Sequence, residues 1–313
     1  MMVVFDLLLA LMVLATAVFI VAVRDLAAAV AGMIAIGFLL TLVWLRLSAI
    51  DVALAEAAIG GGATGIVLLR ASAMLSQPES TSANLAGLMG PAGVVAAIGT
   101  ALIGLALALA VSQLPDVPPS LAAAVMQPLG ELGLGNPVTG VLLGYRALDT
   151  LLEKIVLLVG LLGIWSLAEN GSWSSAPGQL AAAGEAGPLE LVARVLPPVG
   201  IVIGIYLVWV GADQPGGTFQ GGVILAAMWL LPMMAGLAEP PRLDAGWLRL
   251  VLFAGPALFI LAGLSGFFLA EGFLSFPPAY AKQMIIVIEM ALTASIAALA
   301  TLMILGPGKR RRS

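Results

Sequence analysis

Residues Asn136–Trp165 read NPVTGVLLGYRALDTLLEKIVLLVGLLGIW. A run this long and apolar suits a helix crossing a bilayer, which takes about 20 predominantly apolar residues. Yet Arg146, Asp149, Glu153 and Lys154 stand inside it. An ionisable side chain at the centre of a bilayer costs about 3 kcal/mol or more, and by default it marks an ion or proton path. At 100° per residue, Arg146, Asp149 and Glu153 fall within about 60° of one another, and Lys154 borders that face. Arg146–Asp149 is an i,i+3 pair and Asp149–Glu153 an i,i+4 pair. Such a stripe of both signs suits a polarised contact with a neighbouring subunit or a water wire. The alternative is an amphipathic bend at the membrane surface, with Asn136-Pro137 just upstream and the charges solvated.

The rest of the chain makes the membrane reading general. Of 313 residues, 61% are hydrophobic and 10% charged, and the mean hydropathy is +1.13. A soluble domain of this length would lack polar residues to cover its surface. The expected fold is all-α: a polytopic transmembrane helix bundle of about nine spans. They are Leu7–Val23, Leu26–Leu45, Ala49–Leu69, Ala92–Ser112, Val138–Leu167, Val192–Val210, Thr218–Leu237, Leu250–Ala270 and Gln283–Leu305. Pro197-Pro198 falls in the first turns of the sixth. MMVVFDLLLA has no basic n-region, so the first span reads as retained rather than cleaved. With nine spans, Arg24, Arg70, Arg194, Arg242, Arg249 and the Lys309–Arg312 cluster share one side, and Arg46 and Lys282 the other. The positive-inside rule then gives N-out and C-in.

Composition also excludes chemistry. The chain has no cysteine and no histidine. That removes thiolate clusters, His-ligated haem, His/Cys zinc sites and His-dependent nucleophilic catalysis from this polypeptide. No cofactor, no metal site and no enzymatic activity of its own are expected. A net charge of -4 with scattered acids gives no sign of nucleic-acid binding. Hard cations held by carboxylates remain compatible with the composition.

Three further places carry candidate function. The third span, AIDVALAEAAIGGGATGIVLLRA, holds Asp51 near its end and Glu56 deeper, followed by Gly60, Gly61 and Gly62. Asp51 and Glu56 are five residues apart and face different directions. Glu56 has no basic residue at i±3 or i±4 within its span, which makes it a candidate proton carrier. A glycine cluster in a bilayer helix permits close backbone packing or marks local unwinding around a polar cavity. The turn GADQPGGTFQGGVILAA holds Asp213, Pro215, Gly216, Gly217, Phe219, Gln220, Gly221 and Gly222. It reads as a tight re-entry followed by a small-residue packing face, with Asp213 a surface acid and Gln220 an interhelical hydrogen bonder. No Lys follows the glycines, so it is no phosphate loop. Glu289 lies inside the last span, with Lys282 seven residues earlier on the same face. Either Lys282 reaches Glu289, or Glu289 is proton-labile.

These segments resemble a known family. Asp51 to Gly62 resembles the MbhD-type domain of membrane-bound hydrogenases and of the large Mrp antiporter subunit. Asn136 to Gly163 is similar to the adjoining MbhE-type domain, whose R-x-x-D-T-x-x-E run is matched by Arg146, Asp149, Thr150 and Glu153. Gly211 to Ala226 resembles the MnhB/MrpB signature, roughly G-H-x-x-P-G-G-G-F-Q-G-G. Ala212 stands where that pattern has His, and Thr218 where it has a third Gly. The resemblance implies residues 1–75 as an MbhD-like three-helix domain and 85–170 as an MbhE-like domain. It implies 171–189 as a linker and 190–313 as an MnhB-like four-helix domain. It further implies a subunit of an Mrp-like monovalent cation/proton antiporter in a prokaryotic inner membrane. The partners it implies are large antiporter-like subunits, the lipid bilayer, and Na⁺ or H⁺. A structural coupling subunit of a hydrogenase-type or respiratory complex is the alternative, and an inorganic-carbon uptake module a third reading. The missing His implies a different ion or a different coupling.

Overall fold

The computed structural model describes residues 2–75, 90–114, 120–168, 176–177 and 188–308. The expected linker 171–189 falls mostly outside these, and the Lys309–Arg312 cluster wholly so. The described residues form helices and no strand, with one isolated bridge between Pro177 and Gly308. The chain is an all-α polytopic membrane protein.

Helix α1 (Met2–Ala22) turns into α2 (Leu26–Arg46). Asp25 starts α2 as its N-cap, accepting from the Ala28 N–H at 2.8 Å, a contact worth about 1 kcal/mol. Arg46 donates to both Asp6 oxygens, at 2.7 and 3.0 Å, and fastens the far end of the hairpin. The third span is one continuous rod in three parts. These are α3 (Ile50–Ala55), a π-helix π1 (Glu56–Ala63) and α4 (Thr64–Leu75). Its glycine cluster is thus wound as π-helix rather than unwound. Gly37 of α2 lies so close that a Cβ there would sit 2.7 Å from the Gly61 nitrogen and 2.8 Å from the Gly60 carbonyl carbon.

Helix α5 (Pro91–Ser112) begins with Pro at N1 and presents exposed apolar residues along its length. A short α6 (Ala122–Leu129) follows. The long fifth span is not continuous. Asn136 caps a turn at Pro137–Thr139, a π-helix π2 (Gly140–Tyr145) follows, and Arg146 breaks the rod at φ −125°, ψ 38° before α7 (Ala147–Ser166).

The remaining four helices make the densest part. They are α8 (Pro188–Val210), α9 (Thr218–Met234), α10 (Gly246–Leu269) and α11 (Ala281–Leu305). Since α8 starts at Pro188, Pro197 and Pro198 lie in its interior, not its first turns. Each removes an intrahelical N–H donor there. Gly221 and Gly222 let α9 be gripped from two sides. A Cβ on Gly221 would stand 2.7 Å from the Gly204 carbonyl of α8, and one on Gly222 2.9 Å from Ile296 Cβ of α11. Helix α11 is the hub: Ile285, Ile288, Leu292, Ile296, Leu299 and Leu302 are all buried. The inner face of α7 (Ala147, Leu151, Leu161) joins the same apolar clusters.

Among the described residues, seven helices are long and apolar enough to cross a membrane. The expected fifth and seventh spans are not among these seven. Helix α9 has only 17 residues, and α7 carries Asp149, Glu153 and Lys154 in its first half.

Overpacking a helix crossing of this kind typically costs 1–3 kcal/mol. Gly37→Leu is therefore expected to destabilise the protein by about 2 kcal/mol. Thermal unfolding of the detergent-solubilised protein would read this, and an unchanged midpoint would contradict the crossing.

Candidate polar core and ion-path residues

The Asp51 end of the third span meets the two other motifs in a polar knot. The turn from α8 to α9 folds back through Gly217, at φ 128°, ψ −170°, whose N–H donates to the Leu207 carbonyl at 2.9 Å. That backbone geometry favours glycine. It leaves the Gly216 N–H pointing at Asp51 Oδ1, 3.0 Å away. Asn136 Nδ2 donates to the same oxygen at 3.2 Å and to the Gln214 carbonyl at 3.0 Å. Gln220 Nε2 donates to the Asp51 carbonyl at 3.2 Å. The Ala212 carbonyl accepts from the N–H groups of Gly135 and Asn136, and Thr139 Oγ1 donates to the Gly211 carbonyl at 2.6 Å. Asp51, expected to face different surroundings from Glu56, is thus half-buried and joins three segments distant in sequence. Asn136 and Thr139, only 3% and 5% exposed, belong to the knot although their charge-free side chains did not single them out. Asn before Pro, an N-cap signature, was the available sign.

At the other end of the same rod, an Arg70 guanidinium N–H donates to the Ile304 carbonyl, in the last turn of α11. A cation there complements the helix dipole. Between the two fastenings lies an apolar cavity of about 170 Å³, bounded by Ala57, Gly62 and Ile66 on one side and Ala226, Leu230 and Ala300 on the other.

Lys282 does not reach Glu289. Its ammonium is bidentate on Asp213, at 2.7 Å to each oxygen. Asp213 is therefore a surface acid, but a paired one. Glu289 is 2% exposed, and its Oε2 has no hydrogen-bond partner among the described residues. Its Oε1 and Gln220 Oε1 both converge on Gly217, 3.6 and 3.5 Å from where a Cβ would stand.

The charged stripe splits. Arg146 and Asp149 pair at 2.6 Å and stay 70% and 52% exposed, with Glu153 at 50%. Lys154 turns inward and is 1% exposed. Its ammonium stands 3.4 Å from the centroid of the Phe219 ring and 3.7 Å from Glu153 Oε2, and forms no hydrogen bond among the described residues. Its place on α7 sets this direction. Lys154 follows Leu151 by three residues and precedes Leu161 by seven, so it shares their buried face. Glu56 is half-buried and makes no hydrogen bond or ion pair among the described residues. Its carboxylate lies along its own helix, in the space a Gly60 side chain would fill.

Comparisons with known proteins bear on the same segments. Residues 188–306 match the family model of a domain related to the MnhB subunit of Na⁺/H⁺ antiporter, and residues 11–77 match that of MbhD, a subunit of MBH. The knot thus connects Asp51, within the stretch that matches MbhD, to the turn that opens α9, within the stretch that matches the MnhB-related model. Over 154 residues the chain is 31% identical to the uncharacterized protein MJ1307 of Methanocaldococcus jannaschii, covering 44% of this chain and 59% of that one. The fold is that of a chain in the Mrp complex from Dietzia sp. DQ12-45-1b. The TM-score is 0.73 with 24% identity, over 98% of this chain and 35% of that one. It also resembles a chain of the membrane-bound sulfane sulfur reductase, an archaeal respiratory membrane complex. There the TM-score is 0.53 with 22% identity, over 68% of this chain and 97% of that one. The chain therefore spans only part of the curated relative and about a third of the Mrp chain.

Asp51→Ala removes the acceptor of two hydrogen bonds, one from a backbone N–H. A lost acceptor of this kind costs about 1–3 kcal/mol. Asp51→Asn keeps an acceptor oxygen and should cost less. The order wild type, Asn, Ala in thermal stability is the expected result, and equal stability of all three would remove Asp51 from the role of fastening.

Proposed function

We propose that this protein is a membrane subunit of an Mrp-like monovalent cation/proton antiporter complex, in the inner membrane of a prokaryote. The observation that carries the reading is the burial of Lys154 and Glu289 among apolar helices, with no hydrogen bond to the ammonium or to Oε2 among the described residues, inside a chain whose C-terminal part matches the MnhB-related family model. Buried ionisable groups of this kind mark ion and proton pathways in membranes. Glu56, Arg146, Asp149, Glu153, Lys154 and Glu289 are the path residues in this reading. Asp51 holds the knot beside them. Gly60, Gly61, Gly62 and the Asp213–Gly222 turn give the close approaches that place them.

The chain acts as one part of a larger path. Arg146, Asp149 and Glu153 are exposed on this chain alone, and charge facing lipid is costly. A neighbouring subunit covering them, including a large antiporter-like one, agrees with that cost. Residues 85–170 are the MbhE-like part of this reading, and the unit works in transport rather than catalysis. The fold shared with a respiratory sulfane sulfur reductase chain favours one second reading, a coupling subunit in a redox-driven complex.

The test is Na⁺/H⁺ exchange by the whole complex in inverted vesicles. Glu56→Gln, Asp149→Asn and Glu153→Gln are each expected to lower exchange about tenfold, equivalent to ~1.4 kcal/mol of barrier, with the subunit still present in the membrane. Full exchange in all three would remove the ion-path role. Loss of the subunit from the complex in all three would favour the coupling reading.

A further inference from the structure

We propose that Glu153, Lys154 and Glu289 form a proton relay that runs from the exposed face of α7 into the polar knot, with the Phe219 ring holding the Lys154 ammonium at its midpoint. The proposal rests on the transport reading above and assigns it a route and an order.

Four observations place the members in series. Glu153 is half exposed and stands 3.7 Å from the Lys154 ammonium, so it is the member that solvent or a partner can reach. Lys154 is buried on the inner face of α7, over the ring of Phe219. Phe219 lies in the first turn of α9, two residues after Gly217. Glu289 Oε1 approaches that same Gly217 from α11, beside Gln220, whose amide donates to the Asp51 carbonyl. The Gly217–Gln220 segment is thus shared by the lysine on one side and the glutamate on the other. Both side chains keep unsatisfied hydrogen-bonding capacity at nine-tenths burial or more. The other titratable groups near the knot are committed: Asp213 to Lys282, and Asp51 to Gly216 and Asn136.

The chemistry balances without a co-reactant. An N–H bond of the Lys154 ammonium breaks and an O–H bond forms on the Glu289 carboxylate, through bridging water, because no ion pair joins the two groups among the described residues. The products are a neutral amine and a neutral carboxylic acid, so the transfer cancels two opposite charges in a low-dielectric interior where each is costly. Glu153 takes a proton from the exposed face and passes it to the amine, which restores the ammonium, and the Glu289 acid releases its proton to water on the knot side before the next transfer. Phe219 favours the charged form of Lys154 through its ring face. It offers no such attraction to the amine, so the ring biases the resting state without trapping the proton.

The decisive variant is Lys154→Arg. Arginine keeps the positive charge and the ring contact but does not release its proton in proteins. A lysine serving only as a structural cation would be replaced by it without loss. In the intact complex, Lys154→Arg is expected to assemble at the wild-type level and to exchange about a hundredfold more slowly, as for loss of a general acid–base group. The same loss is expected of Glu289→Gln, and the double variant should be no slower than the slower single one. Wild-type exchange in either assembled variant overturns the relay. Should Lys154→Arg not assemble, Glu289→Gln decides alone. Infrared difference spectra across a pH step give a readout independent of turnover. A carboxylic-acid C=O band present in wild type and absent in Glu289→Gln is expected, and its absence in wild type or persistence in the variant overturns the assignment. A wild-type complex with no cation/proton exchange would instead overturn the transport reading itself.

Discussion

The carboxylate of Asp51 is the contact on which the arrangement of the helices depends. It closes the gap between the first helical rod and the α8–α9 turn by accepting from a backbone N–H that the turn leaves free. In a medium without water, an unsatisfied backbone N–H costs several kcal/mol. The turn GADQPGG is therefore tolerable beside apolar helices because Asp51, Asn136 and Thr139 take up its polar groups. The Arg70–Ile304 contact does the corresponding work at the opposite end of the rod. There α11 runs out of intrahelical donors for its last carbonyls.

Between these two fastenings alanines and Gly62 make up much of the facing surface, with Ile66 and Leu230 beside them. Small residues let helix backbones approach closely, and that packing substitutes for the hydrophobic drive that lipid removes. The small size of these side chains has a consequence for the buried charges. Phe219 and Gln220 are the large side chains that the turn sends inward, and Lys154 and Glu289 lie against them.

The sequence was most legible where periodicity and composition speak. Apolar runs located α1, α2, α5, α10 and α11 to within a few residues. Arg146–Asp149 was readable as an i,i+3 pair, and the structure has that pair at 2.6 Å. It was less legible where local winding changes. A uniform 100° per residue placed Lys154 at the border of the charged stripe. The packing of Leu151 and Leu161, which share its side of the helix, takes it into the core instead. Lys282 is seven residues from Glu289 on the same face. Asp213, contributed by a different part of the chain, lies nearer and takes the ammonium.

By itself the sequence determined the class of protein, the positions of most spans and the list of charged residues that a bilayer makes costly. Those follow from transfer free energies and helical geometry, which are local properties. Only the tertiary structure decided which of those charges are paired, which face outward and which are sealed inside. That assignment depends on contacts between residues as far apart as Asp51 and Gly216, or Lys154 and Phe219. No local rule relates such residues, because their separation is set by how the helices pack rather than by how the chain winds.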